Sequence, residues 1–179
     1  MVSPAIGKVR RMHVAVHIWL PNKKRVGHTS LSLIASKGFT LEYLSFWPAS
    51  FDKAARPTDI VTRKKRYSEF METLAADRAS EKGRDDWNIP IPLDNIDVMA
   101  LTKFIGDIKE RHPKYHLTNY NCSSVVAEAL FQASGIKPSF KPNAAGYGRL
   151  ASAFGRGIWT PINVKKYADE LSKPQAEAA

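Results

Sequence analysis

A single cysteine, Cys122, stands among the 179 residues of the chain. That count excludes an internal disulfide and any zinc site built from several thiolates. Long apolar runs are missing too, since no stretch reaches the roughly 18 residues that a spanning helix needs. The first apolar run, Met12 to Leu20, carries two histidines and has no small-residue cleavage site behind it, so it does not read as a signal peptide. The expectation is synthesis in the cytoplasm, with any delivery to a periplasm or target cell by a signal-independent secretion system. Acid is scarce at the start of the chain. No Asp or Glu precedes Glu42, whereas Lys8, Arg10, Arg11, Lys23, Lys24, Arg25 and Lys37 all do. The whole chain has 27 basic against 17 acidic residues, a formal net charge of +10. Such an excess points to an anionic partner: nucleic acid, anionic lipid or an acidic polymer such as a cell wall. Nucleic acid is the weakest of these, because no helix-turn-helix, zinc-finger or glycine-rich RNA-binding signature is present.

Hydrophobic residues make up 44% and charged residues 25%, the balance of a globular domain rather than a disordered tail or a fibre. The length is that of one domain. Met12, Val14, Val16, Ile18 and Leu20 alternate with His13, Ala15, His17 and Trp19, the period of a strand with one face in a core. A second strand, His28 to Ile34, puts Thr29, Leu31 and Leu33 on one face and His28, Ser30 and Ser32 on the other. A third runs from Thr40 to Trp47 and stops at Pro48. Together they predict an antiparallel meander with a polar, histidine-bearing face that a helix N-terminus could cover. Residues 67–76 read as a short helix and 77–86 as an exposed loop. Asn88 to Leu93 must be extended and at an edge, because Pro90 and Pro92 each lack an amide donor.

Helices are expected after a cap at Asp94 or Asn95, from Cys122 to a C-cap at Gly135, and after Thr160-Pro161. Residues 136–159 read as irregular and 173–179 as a frayed tail. The organisation is one α+β domain over 1–179, an antiparallel sheet packed against helices, with a core at about 12–172.

Cys122 opens a helix, where unpaired backbone N–H groups and the helix dipole stabilise a thiolate. Position alone leaves two readings open, a buried structural thiol or an activated nucleophile. A nucleophilic thiol needs a base, and five histidines are available. His13 and His17 share a strand face but have no further clustered ligand, so no metal is expected. His112 and His116 flank a helix end. His28 follows Gly27 and starts a strand on the polar face. A hairpin turning at Lys37-Gly38 sets Ser45 nearly opposite His28, with Tyr43, Ser45 and Trp47 on its face. Glu42 points the other way unless a bulge intervenes.

Val26-Gly27-His28-Thr29-Ser30-Leu31, then Tyr43-Leu44-Ser45-Phe46-Trp47-Pro48, then Asn121-Cys122-Ser123-Ser124 together resemble a circularly permuted papain-like cysteine hydrolase. The group is the NlpC-like and lecithin:retinol-acyltransferase-like one, which includes bacterial effector toxins. The resemblance spans about residues 12–135. It implies Cys122 as nucleophile and His28 as base, with no cofactor. For the third residue the chain offers Ser45 by register and Glu42 by chemistry, since a carboxylate holds an imidazolium better. Asn121 and Tyr120 could serve the oxyanion or shape the pocket, and Trp47 could wall the cleft. The resemblance implies amide hydrolysis, with peptidoglycan stem peptides as first substrate and an immunity or secretion protein as a partner. Acyl transfer, deamidation or attack on a host protein or lipid uses the same chemistry. The basic run Arg63-Lys64-Lys65-Arg66 is a further candidate for gripping an anion.

Overall fold

A computed structural model describes residues 12–22, 24–49, 65–147 and 157–173. The alternating segments form the strands their period requires. β1 (His13–Trp19), β2 (His28–Ile34) and β3 (Thr40–Pro48) pair antiparallel in a meander. β6 (Trp87–Pro92) adds antiparallel to β1, and the short β5 (Ser68–Phe70) adds to β3. The five-stranded sheet therefore runs β5-β3-β2-β1-β6. The proline-bearing β6 lies at its edge, as the missing amide donors demand. A separate ribbon joins β4 (Lys65–Arg66) to β7 (Tyr115–His116).

One sheet face is apolar. Val14, Val16 and Ile18 of β1, Leu31 and Leu33 of β2, Leu44 and Phe46 of β3 and Ile91 of β6 form its floor. Helices α2 (Val98–Arg111), α3 (Cys122–Ser134) and α4 (Pro161–Leu171) complete this core, α3 with Val125, Val126, Ala129 and Leu130. The helix ends follow local chemistry. Asn121 and Thr160 cap α3 and α4 through their side chains, and Gly135 ends α3 in the left-handed conformation. The α2 cap is Asp97, not Asp94 or Asn95. Those two lie in a 3₁₀ turn, and the Asp97 carboxylate accepts from Met99 N and Ala100 N. The described residues of 136–159 include a 3₁₀ turn, Ala144–Tyr147.

Two expectations fail on the opposite, polar face. Residues 67–76 are not one helix. β5 occupies the first part, and α1 (Leu74–Ser80) begins only after the Thr73 cap. Residues 77–86, expected to be exposed, instead bury the carboxylates of Asp77, Glu81 and Asp86, which are 0%, 3% and 5% accessible. α1 and this segment lie over the histidines and hydroxyls of the sheet. Arg63 and Lys64 of the basic run, the side chains of Lys65 and Arg66, and the tail beyond Lys173 lie outside the described residues. Among the described residues no helix is long and apolar enough to cross a membrane.

Gly27 controls where β2 starts. Its φ is +78°, and an added Cβ would lie 2.3 Å from the Trp19 carbonyl oxygen. Gly27→Ala should therefore cost about 1–3 kcal/mol from the left-handed backbone alone, with the collision added. A urea midpoint unchanged from the parent would contradict this reading of the turn.

Candidate active site

β2 begins at His28, so its imidazole stands at the end of the sheet beside the first turn of α3. Thr29, the next residue, turns to the apolar face and donates its hydroxyl to Ser123 at 3.4 Å. That contact ties the two segments on which His28 and Cys122 sit. Both side chains are buried, 2% and 5% accessible, line one small cavity, and shift each other's titration.

The other imidazole edge is fully engaged. Nε2–H donates to Ser45 Oγ at 3.0 Å and to Asp77 Oδ2 at 3.2 Å, which leaves Nδ1 for Cys122. Ser45 in turn donates to Asp77 Oδ1 at 2.8 Å. Trp47 Nε1–H donates to the same oxygen at 2.8 Å, and Tyr43 Oη–H donates to Oδ2 at 2.5 Å. Tyr43 also shares a hydrogen bond with Ser30 at 2.8 Å. Trp47 stacks on the imidazole with ring centroids 4.1 Å apart, and Trp19 tilts against it at 5.5 Å.

Charge is consistent with this geometry. Burial alone would lower the His28 pKa, but the Asp77 carboxylate and the Cys122 sulfur outweigh it and hold the imidazolium up to about 10. Burial likewise opposes ionisation of Asp77, yet His28, Tyr43 and Ser45 bring it down to about 2. The Cys122 thiol is pushed up by burial and down by His28, the Thr29 backbone N–H and Ser123, with a net lowering. The arrangement favours a thiolate-imidazolium pair backed by a carboxylate. Burial and the Cys122 charge also raise the Tyr147 phenol, so it remains a protonated donor near the sulfur. A cavity of about 20 Å³ opens at this point between Gly27, His28, Trp47, Pro48, Tyr115 and Cys122, room for about one water.

The structure brings Cys122, His28, Ser45 and Trp47 together. Ser45 lies opposite Ser30 rather than His28, two residues along the strand and therefore still on the histidine face. Glu42 lies opposite Leu33 and is half-exposed, on the strand face that does not carry His28. Asn121 is committed as the α3 cap: it accepts from Ser124 N and donates to the Leu117 and Trp159 carbonyls at 2.6 and 3.0 Å. Tyr120 turns to Glu128 at 3.2 Å and packs on Phe46, away from the sulfur. His112 is a left-handed C-cap that donates to the Ser68 carbonyl, and His116 accepts from Thr118.

Asp77 is the residue that sequence reasoning missed. Its signal was indirect: three strands with a polar face require a polar cover, and an acid-bearing stretch, Glu69 to Asp86, follows them in the chain.

Asp77→Asn should drop the His28 pKa well below about 10, since burial then prevails; an NMR titration of the imidazole measures this. Stability from the pair follows the two shifts. Asp77's share is present above the ordinary carboxylate pKa and is lost as pH falls through about 2. His28's share is present below about 6.5 and is lost as pH rises through about 10. Chemical denaturation at a series of pH values should show a wild-type advantage over Asp77→Asn that shrinks at both extremes.

Compared with family models, with curated proteins and with solved structures, the chain shows no match.

Proposed function

We propose that the protein is a cysteine hydrolase that cleaves amide bonds, with Cys122 as nucleophile and His28 as general acid and base. The observation that carries this reading is the buried cluster in which His28 bonds Asp77, Ser45 and Trp47 complete the carboxylate's shell, and Cys122 lines the same cavity as His28. The thiolate adds to the substrate carbonyl carbon, and the negative charge moves to the carbonyl oxygen. The backbone N–H of Cys122, first in α3 and without an intrahelical acceptor, is placed to receive that charge. Collapse breaks the C–N bond as His28 Nδ1 gives its proton to the leaving amine. Water then gives a proton back to the neutral imidazole and cleaves the thioester, restoring the ion pair. Asp77 stays ionised throughout and holds the ring in the tautomer that presents Nδ1 to sulfur.

Peptidoglycan stem peptides are the substrate we put first. The permuted papain-like resemblance implies them, and a net charge of +10 suits an acidic wall polymer. The same resemblance supports the role of a bacterial effector toxin neutralised by an immunity protein.

Cys122→Ala and His28→Ala should each remove activity while leaving the circular dichroism spectrum intact, because either loss disables the unit. Ser45→Ala should lower turnover partly, Asp77→Asn more, and Glu42→Gln very little. Mass spectrometry of peptidoglycan fragments after digestion by wild type and Cys122→Ala tests substrate and bond together. Equal fragment patterns from the two proteins would refute wall cleavage.

A further inference from the structure

The helix that delivers Asp77 has an unusual attachment. α1 buries one side chain, and that side chain is Asp77 itself. With no apolar residue buried, polar contacts must fix its place. Three groups of contacts hold the segment beyond Asp77, one of them Trp19 Nε1–H to the Arg84 carbonyl at 3.0 Å with Arg84 donating to the Leu20 carbonyl. Glu81 accepts from Arg25 at 3.3 Å and from Arg84 at 2.9 Å, and Arg25 also donates to the Ser80 carbonyl. Asp86 Oδ1 accepts from Arg78, the residue next to Asp77, at 2.9 Å, while its Oδ2 accepts from His17 Nδ1 at 2.9 Å. Asp86 therefore links α1 directly to the interior strand β1.

We propose that Asp86, held between His17 and Arg78, is a positioning residue that fixes α1 on the sheet and so sets the contact of Asp77 with His28. The proposal rests on the reading of Cys122 and His28 as the catalytic pair.

His17 completes the link. Its Nε2 meets the Ser32 hydroxyl at 2.9 Å. With Nδ1–H donated to a carboxylate, Nε2 is the acceptor and Ser32 the donor. Serine, histidine and aspartate in this order have the spacing of a hydrolytic triad. Yet His17 and Ser32 are only 1% and 2% accessible, so no substrate carbonyl reaches Ser32 and the arrangement acts as a clamp. The groups facing His17 are Asp86 from the covering segment, Ser32 from β2 and the Tyr43 ring from β3 at 6.5 Å; the charges of Arg78 and Asp77 lie beyond. Burial lowers the His17 pKa more than Asp86 raises it, so the ring is neutral at pH 7. A neutral amide in its place changes the contacts without changing the charge.

The test measures iodoacetamide alkylation of Cys122 in the full chain against pH. Asp86→Asn and His17→Gln should move the onset of alkylation upward and slow the reaction at pH 6 by about three- to tenfold, the coupling expected within one hydrogen-bonded network. Asp77→Asn should do so more strongly. His17→Asn, whose amide nitrogen takes the place of Nδ1 and keeps the Asp86 contact, should retain the parent profile. Should Asp86→Asn or His17→Gln fail to fold, Arg78→Gln at an exposed side chain supplies the same reading. A parent thiol that titrates like free cysteine would defeat the catalytic reading itself. A parent with an activated thiol and folded variants that match it would defeat only the positioning role of Asp86.

Discussion

A carboxylate removed from water must find compensation nearby, and the buried Asp77 imposes that requirement on everything around it. Burying such an ion costs several kcal/mol unless charge and hydrogen bonds replace its hydration. Here one imidazolium and three neutral donors supply the replacement. The donors come from Tyr43, Ser45 and Trp47, alternate residues of a single strand, so the period of β3 builds the receptor for the acid. The same carboxylate keeps His28 charged, and the charged ring lowers the Cys122 pKa. Sheet register, helix placement and nucleophile activation thus meet at one oxygen pair.

This requirement also explains why the sheet is sheathed differently on its two sides. The apolar side accepts helices that bury Leu, Val and Ile. The other side presents histidines, serines and a tyrosine, which an apolar helix would strand without partners. Its cover is acidic instead, with Asp77, Glu81 and Asp86 meeting His28, Arg25 and His17 in turn. Each acid lies on a short stretch of chain and each of its partners on the sheet or its connecting turn. The basic start of the sequence therefore finds part of its counter-charge within the molecule.

Much of this was legible in the sequence where local rules apply. Alternation revealed β1 to β3, the prolines marked β6 as an edge, and Thr160-Pro161 and Gly135 marked helix ends. The same rules put His28, Ser45 and Trp47 on one face and Cys122 at a helix start. They failed where the usual pattern is inverted. α1 hides its acid and exposes much of the rest, so a reading based on hydrophobic periodicity turns it inside out. Ser45's exact neighbour was missed by two residues, a slip along the strand that changes the partner and keeps the face. Asn121 and Tyr120 sit beside the nucleophile in sequence, but adjacency does not fix side-chain direction. The cap geometry of α3 turns one inward to the backbone, and Glu128 draws the other aside.

The polar attachment of α1 separates two quantities that usually travel together. Apolar burial makes cores cooperative, and this helix shares almost none of it. Its amides should exchange with solvent through openings far cheaper than global unfolding, while those of β1 and β2 wait for the whole domain. In mild denaturant the chain would pass through a form with an intact sheet and α3, in which His28 has lost its acid. That form is folded by every core measure, and its Cys122 faces an imidazole with no carboxylate behind it.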